Sequence, residues 1–280
     1  MRQNDRTLFS YAFVPGTFKP YVRTLATVDG DNLLRDAPHD HLHHHALMFA
    51  IRVNGINFWE ETTGCGVQRP VETAEPTTRL SPAGVPQAIL TQRLHWLAPE
   101  NAFLHDSTSK ALLLEHRTLT LTVDAPRREV ALLWRSEFEV GPATNVVTLG
   151  GANYYGLGAR FLQELDPLAD HFTATGRLDL ADNRQDVSQH PWAAVAFNRP
   201  DRPATFALFG HPHNPGGPPW FLSMRTPFAY LSATQRLDQQ PRQYARGQRF
   251  ALDYLVVVQS GLPEKDQLDA RHQRWLQELR

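Results

Sequence analysis

Cysteine is almost missing from this chain: Cys65 stands alone among 280 residues. A single thiol cannot close an internal disulfide, which excludes a disulfide framework and thiolate-rich zinc or iron–sulfur centres. Set in Thr63-Gly64-Cys65-Gly66 with no base beside it in sequence, it reads as an inert thiol rather than a nucleophile. Lysine is nearly as scarce, occurring only as Lys19, Lys110 and Lys265, so Schiff-base chemistry is excluded unless one of the three is buried. No run of about 18 apolar residues is present to span a bilayer, and the polar start Met1-Arg2-Gln3-Asn4-Asp5-Arg6 leads into no signal-type apolar core. A cytoplasmic protein with no membrane partner is expected. Nor is there an excess of one charge: 28 basic against 29 acidic residues give a net charge of −1, no footprint for nucleic acid. The expected partner is a small molecule; oligomeric state is not legible.

What is present is a β-rich pattern. Apolar and polar residues alternate along Leu112-Leu114-His116 into Leu119-Leu121-Val123, along Val130-Leu132-Trp134, and along Phe250-Leu252-Tyr254 into Val256-Val258. Proline- and glycine-rich turns such as Asn214-Pro215-Gly216-Gly217-Pro218-Pro219 separate such runs, and 21 prolines leave little room for long helices. Asn54-Gly55, between Phe49–Val53 and Ile56–Trp59, predicts a tight hairpin because both turn positions favour positive φ. One helix is expected at about 264–279, with Leu268, Trp275, Leu276 and Leu279 near one face, capping a sheet edge or barrel-like end. With 41% hydrophobic and 20% charged residues, residues 1–280 are expected to form one domain.

Five of the thirteen histidines lie in His39-Asp40-His41-Leu42-His43-His44-His45. Imidazole titrates near neutral pH and ligates transition metals, so this concentration marks a site. If the segment is extended, His39, His41, His43 and His45 share one face and His44 points the other way. A metal triad of His41, His43 and a carboxylate after the hairpin, Glu60 or Glu61, is one possibility; a metal-free polar layer at a cleft mouth is another. Gly156-Leu157-Gly158-Ala159-Arg160 lacks the third glycine and acidic partner of a dinucleotide loop, so neither nicotinamide nor flavin is expected. Missing side chains there let a backbone or ligand approach, with Arg160 free to clamp a carboxylate or hydroxyl or to form a structural ion pair. His211-Pro212-His213-Asn214-Pro215 ends near Trp220, a stiffened loop offering an aromatic face beside hydrogen-bonding groups, as sugar sites need.

These stretches, in this order, resemble the bacterial methane oxygenase PmoA-like family. The resemblance rests on Lys19-Pro20-Tyr21-Val22, Asp40-His41-Leu42-His43-His44-His45-Ala46-Leu47, Val53-Asn54-Gly55-Ile56-Asn57-Phe58-Trp59, Gly156-Leu157-Gly158-Ala159-Arg160, His211-Pro212-His213-Asn214-Pro215 and Pro219-Trp220, and it spans roughly 19–260. Family positions held by proline, arginine and glycine are Leu42, His45 and Ala46 here. The resemblance implies a soluble β-rich protein associated with sugar-catabolic oxidoreductases. It does not imply methane oxidation, which belongs to an integral membrane protein. By fold analogy the chain is an all-β, large antiparallel two-sheet sandwich of the galactose mutarotase-like supersandwich type with a C-terminal helix.

Three functions stand open. In the first, an isomerase or lyase acts on a sugar or oxidised glycoside, with His41, His44 and His211 transferring protons. Asp40, His45, Trp59, Tyr155, Arg160, His213, Asn214 and Trp220 would hold the substrate. In the second, a divalent metal on His41, His43 and Glu60 activates water or a carbonyl. In the third, the same surface binds carbohydrate without turnover.

Overall fold

Two large antiparallel sheets face each other in the computed structural model, which describes every residue except 4, 5, 15, 82, 103, 105, 106, 182, 279 and 280. The larger has ten strands, and its longest members, Pro86–Leu97, Ala111–Asp124, Glu129–Val140 and Arg249–Ser260, lie side by side. Three of those four are the runs whose alternation is plainest in the sequence. The smaller has seven strands, in the order Gln185–Gln189, Trp220–Met224, Tyr230–Thr234, Gly156–Arg160, Leu47–Ala50, Tyr21–Leu25 and Phe9–Ala12. A four-stranded sheet at one side contains the expected hairpin, Arg52–Val53 and Ile56–Asn57, with Asn54 at φ 51° and Gly55 at φ 80°. The architecture is thus an antiparallel β-sandwich with a C-terminal helix.

Alternation decides which side chains enter the space between the sheets. Val130, Leu132, Trp134 and Phe138 point inward, where Phe138 and Trp96 meet Phe49 of the opposite sheet at ring separations of 6.0 and 6.1 Å. Phe161 likewise meets Phe197 and Phe206. One ion pair is sealed into this apolar layer. Arg117 donates to Glu115 through Nε at 2.7 Å and Nη2 at 3.0 Å, while Trp96 Nε1 and Ser136 Oγ donate to the same carboxylate. Gln68 and Tyr11 accept from the remaining guanidinium N–H groups. Such a pair is tolerable in a dry core only because every charge is also hydrogen-bonded.

The helix, Lys265–Glu278, does not cap a sheet edge or barrel end as expected. Leu268 and Trp275 pack on the outer face of the ten-stranded sheet, against Ala131, Trp192, Phe209, Leu255 and Val257. That face carries a second apolar stripe which a sheet edge could not cover. Leu279 lies outside the described residues. Among those described, no helix is long and apolar enough to cross a membrane.

The outer face of the seven-stranded sheet is what positions the site. Register places Leu222, Met224, Tyr230, Ser232, Gly158, Arg160 and Met48 on one side, while Phe221, Leu231, Ala233, Leu157, Ala159 and Phe49 face the core. The histidine segment and the turn after the hairpin fold over that outer side.

Candidate functional site

The histidine segment is not extended. His41 N–H donates to Pro38 O and His44 N–H to His41 O, both at 2.9 Å, so two successive turns replace the expected strand. Positive φ at Ala37 (44°) and Ala46 (38°) lets the chain enter and leave this coil. The two-residue spacing therefore says nothing about faces: His41, His43 and His44 cluster, His39 is exposed, and His45 turns away. The His41 and His44 rings stack at 4.6 Å, and His43 meets His44 edge-on at 4.6 Å.

These three imidazoles and Glu60 line a cavity of about 400 Å³ with Tyr154, Gln185, Leu222, Met224, Pro227, Phe228 and Tyr230. That volume is at the low end for small-molecule sites. Among the described residues, no arginine or lysine lines it. Burial first, then the positive fields of His43, His41, Arg160 and Lys19, depress the His44 pKa to about 3, so this ring is neutral at physiological pH. Its Nδ1 is buried without a hydrogen-bond partner. Burial, then the charges of Lys19 and His41, also lowers His43. A larger groove, about 930 Å³, runs beside the helix, lined by arginines, carboxylates and apolar residues such as Leu133, Leu255 and Trp275, and holds none of these histidines.

Beneath the cavity lies a packed aromatic floor. Trp59, fully buried, stacks on Tyr155 at 4.9 Å and 9°, and Tyr230 stands edge-on to the indole. Gly158 makes this arrangement possible: a Cβ there would sit 1.9 Å from the Tyr230 hydroxyl and 3.2 Å from the Trp59 ring. The glycine motif thus leaves room for aromatic side chains of the protein itself. Arg160, 3% exposed, places its guanidinium 3.3 Å from the Phe228 ring centroid and 3.7 Å from Asp40. Desolvation pulls its pKa down to about 10.

His45 belongs to a separate, half-buried network. Its Nδ1 lies 2.7 Å from Asp36 and its Nε2 3.0 Å from Glu61, with Tyr21 stacked on the ring at 4.2 Å. Lys19, fully buried, donates to Glu61 and to the Trp59 carbonyl, each at 2.7 Å. Burial lowers the Lys19 pKa against the opposing pull of Glu61. Burial would also lower His45, but its bonds to Asp36 and Glu61 outweigh that and raise it.

The model of a family of unknown function, DUF6807, matches residues 1–273. The chain belongs to this family. No curated protein matches it. Among solved structures, it is similar to the GH36 alpha-galactosidase AgaB from Geobacillus stearothermophilus, at 12% identity and TM-score 0.46, covering 90% of this chain and 41% of that one. It is also similar to AgaA from the same organism in complex with raffinose, at 13% identity and TM-score 0.44, covering 91% and 32%. The DUF6807 chain therefore spans less than half the length of each of these proteins.

Within this DUF6807 member several expected site residues stand elsewhere. His211, His213 and Asn214 do not reach the cavity. Asn214 pairs with the Asp253 backbone in both directions, Nδ2 to O at 3.0 Å and N to Oδ1 at 2.8 Å, as an extra rung of the ten-stranded sheet. His211 meets Trp275 of the helix edge-on at 5.6 Å. These histidines therefore serve the opposite face of the sandwich, and His211 is not a partner of His41 or His44. Trp220 carries the Arg236 guanidinium on its ring and does not line the cavity. Trp59, Tyr155, Arg160 and His45 form the layers behind the lining; Asp40 stands at its rim, 3.0 Å from His41 Nδ1. His41, His43 and Glu60 share the lining, yet among the described residues no three His, Cys, Asp or Glu are disposed to hold a metal ion. Sequence reasoning missed Tyr154, Gln185, Phe228 and Tyr230 in the lining and Asp36 behind it, whereas Glu61, weighed beside Glu60 as a metal ligand, instead pairs with His45 and Lys19. Of those missed, only Tyr154, beside the glycine motif, had any local signal.

Proposed function

We propose that this cavity binds a neutral, sugar-like small molecule and moves protons on it, as an isomerase or lyase does. The observation that carries the reading is the union of three imidazoles and one carboxylate with an apolar wall of Phe228, Tyr230, Leu222 and Met224, and with no cation in the lining. Hydroxyl groups suit neutral imidazoles, which donate and accept, and a sugar's C–H face suits an aromatic wall. A phosphate or carboxylate ligand would meet Glu60 with no arginine or lysine on the lining itself to pair with. The expected resemblance to PmoA-like proteins, with their sugar-catabolic association, is in keeping with this.

His43, kept unprotonated at neutral pH, is the proton acceptor, and His41 and Glu60 on the same lining complete an acid–base set. In ring opening of a cyclic sugar, the acceptor takes the anomeric hydroxyl proton while a donor protonates the ring oxygen. His44 stays neutral throughout and holds a hydroxyl.

Calorimetric titration with glucose, galactose and xylose, and with the matching uronates and sugar phosphates, tests this. Binding of a neutral sugar at least about tenfold tighter than its anionic counterpart is expected, a difference of about 1.4 kcal/mol. His41→Asn and His44→Asn should weaken it, and His211→Asn and His213→Asn should not. Preference for the anionic sugar, or equal loss in both pairs of variants, would overturn the reading; sugar binding without turnover would leave a binding protein.

A further inference from the structure

Two backbone segments carry the polar groups of the cavity, and one partly buried chain of ions joins them. His44 directly precedes His45, and Glu60 sits between Trp59 and Glu61. His45 presents Nδ1 to Asp36 Oδ1 at 2.7 Å and Nε2 to Glu61 Oε2 at 3.0 Å. A neutral imidazole has a single N–H, so both contacts are hydrogen bonds only if the ring is an imidazolium or a carboxyl keeps its proton. The groups facing the ring favour the former. Tyr21 Oη and Arg23 Nε donate to Asp36 Oδ2, each at 2.9 Å, and Lys19 Nζ donates to Glu61 Oε1 at 2.7 Å, so both carboxylates are charge-stabilised from their far sides. Lys19 also grips the Trp59 carbonyl, and Asn57 Oδ1 accepts from Trp59 N–H at 2.8 Å. The turn that presents Glu60 is thereby held at the carbonyl before it and the carboxylate after it.

We propose that His45, as an imidazolium clamped between Asp36 and Glu61, acts with Lys19 as the positioning element that sets where His44 and Glu60 stand relative to each other. This rests on the reading of the cavity as the functional site and adds how its geometry is fixed. His45 itself touches no ligand: its ring is 11% exposed and both nitrogens are engaged.

Long-range and amide 1H–15N spectra of the uniformly 15N-labelled protein without ligand test the clamp. At pH 7.5 His45 should show two protonated nitrogens and His44 one. Glu61→Gln should leave His45 with a single N–H and shift the His44 ring and Glu60 amide resonances, and Glu61→Asp should restore the doubly protonated ring. Asp36→Asn gives the same reading should Glu61→Gln fail to fold. A neutral His45 in the unmodified protein, or a neutralised clamp that leaves His44 and Glu60 unmoved, would overturn the proposal. With glucose, galactose and xylose as probes, Glu61→Gln should weaken binding about tenfold or more, since displacement near 1 Å is costly to an oriented site. If no sugar binds while the ring spectra behave as expected, the proposed function falls and the clamp stands.

Discussion

Replacing Gly158 by alanine sets a methyl group where the aromatic floor already is. The new Cβ would lie 1.9 Å from the Tyr230 hydroxyl, 2.8 Å from Tyr230 Cζ and 3.2 Å from Trp59 Cη2. No backbone penalty is involved, because Gly158 is in a strand with ordinary dihedrals, so the cost is overpacking alone. Tyr230 is 3% exposed and boxed in by Trp59 and the stacked His44, so it cannot swing clear without disturbing both. Overpacking of this kind costs about 1–3 kcal/mol. In melting temperature that is about 2–4 °C for each kcal/mol. Tyr230→Phe deletes the atom in worst contact but leaves the ring carbon, so Gly158→Ala/Tyr230→Phe should recover part of the loss and not all. Urea or thermal unfolding of the four proteins gives the coupling, expected between about 0.5 and 3 kcal/mol. Additive losses, or a Gly158→Ala protein as stable as the parent, would show that this glycine is not there to admit the tyrosine.

Glu115→Gln should destabilise the fold by about 3–5 kcal/mol, because Arg117 is then left charged in a dry core; measured chemical denaturation checks it, and a loss under 1 kcal/mol would refute the account of the sealed pair. Stability should also fall as pH drops from about 6.5 towards 3. His44 and His171 have folded pKa values near 3 through burial, against 6.5 in the unfolded chain, so over that window the unfolded state binds protons the folded state refuses. His171→Leu removes one of these protons and should flatten the pH dependence by up to about 1.4 kcal/mol per pH unit; denaturation at pH 7 and 4.5 with an unchanged slope would contradict it.

Much of the fold was legible because strands with one wet and one dry face must alternate, and the longest runs here do. The Asn54-Gly55 turn and the helix were legible for similarly local reasons. The site was legible only in part. Three residues of the histidine cluster do line one cavity, but an extended segment was the wrong shape for it, since hydrogen bonds from His41 to Pro38 and from His44 to His41 coil it. The assumed meeting of His41 with His211 failed because nothing in a sequence says on which face of a sheet a loop closes. Asn214 and Trp275 hold that second loop to the outer face of the ten-stranded sheet.

Taken alone, then, the order of residues determined that this chain is β-rich, carries one terminal helix and gathers imidazoles near residue 41, because period and turn chemistry act over a few neighbours. Which imidazoles share a cavity with Glu60, why Gly158 has no side chain, and that Lys19 is buried against Glu61 were decided by strand register and sheet packing. Those bring together groups tens of residues apart, and no short-range pattern encodes them.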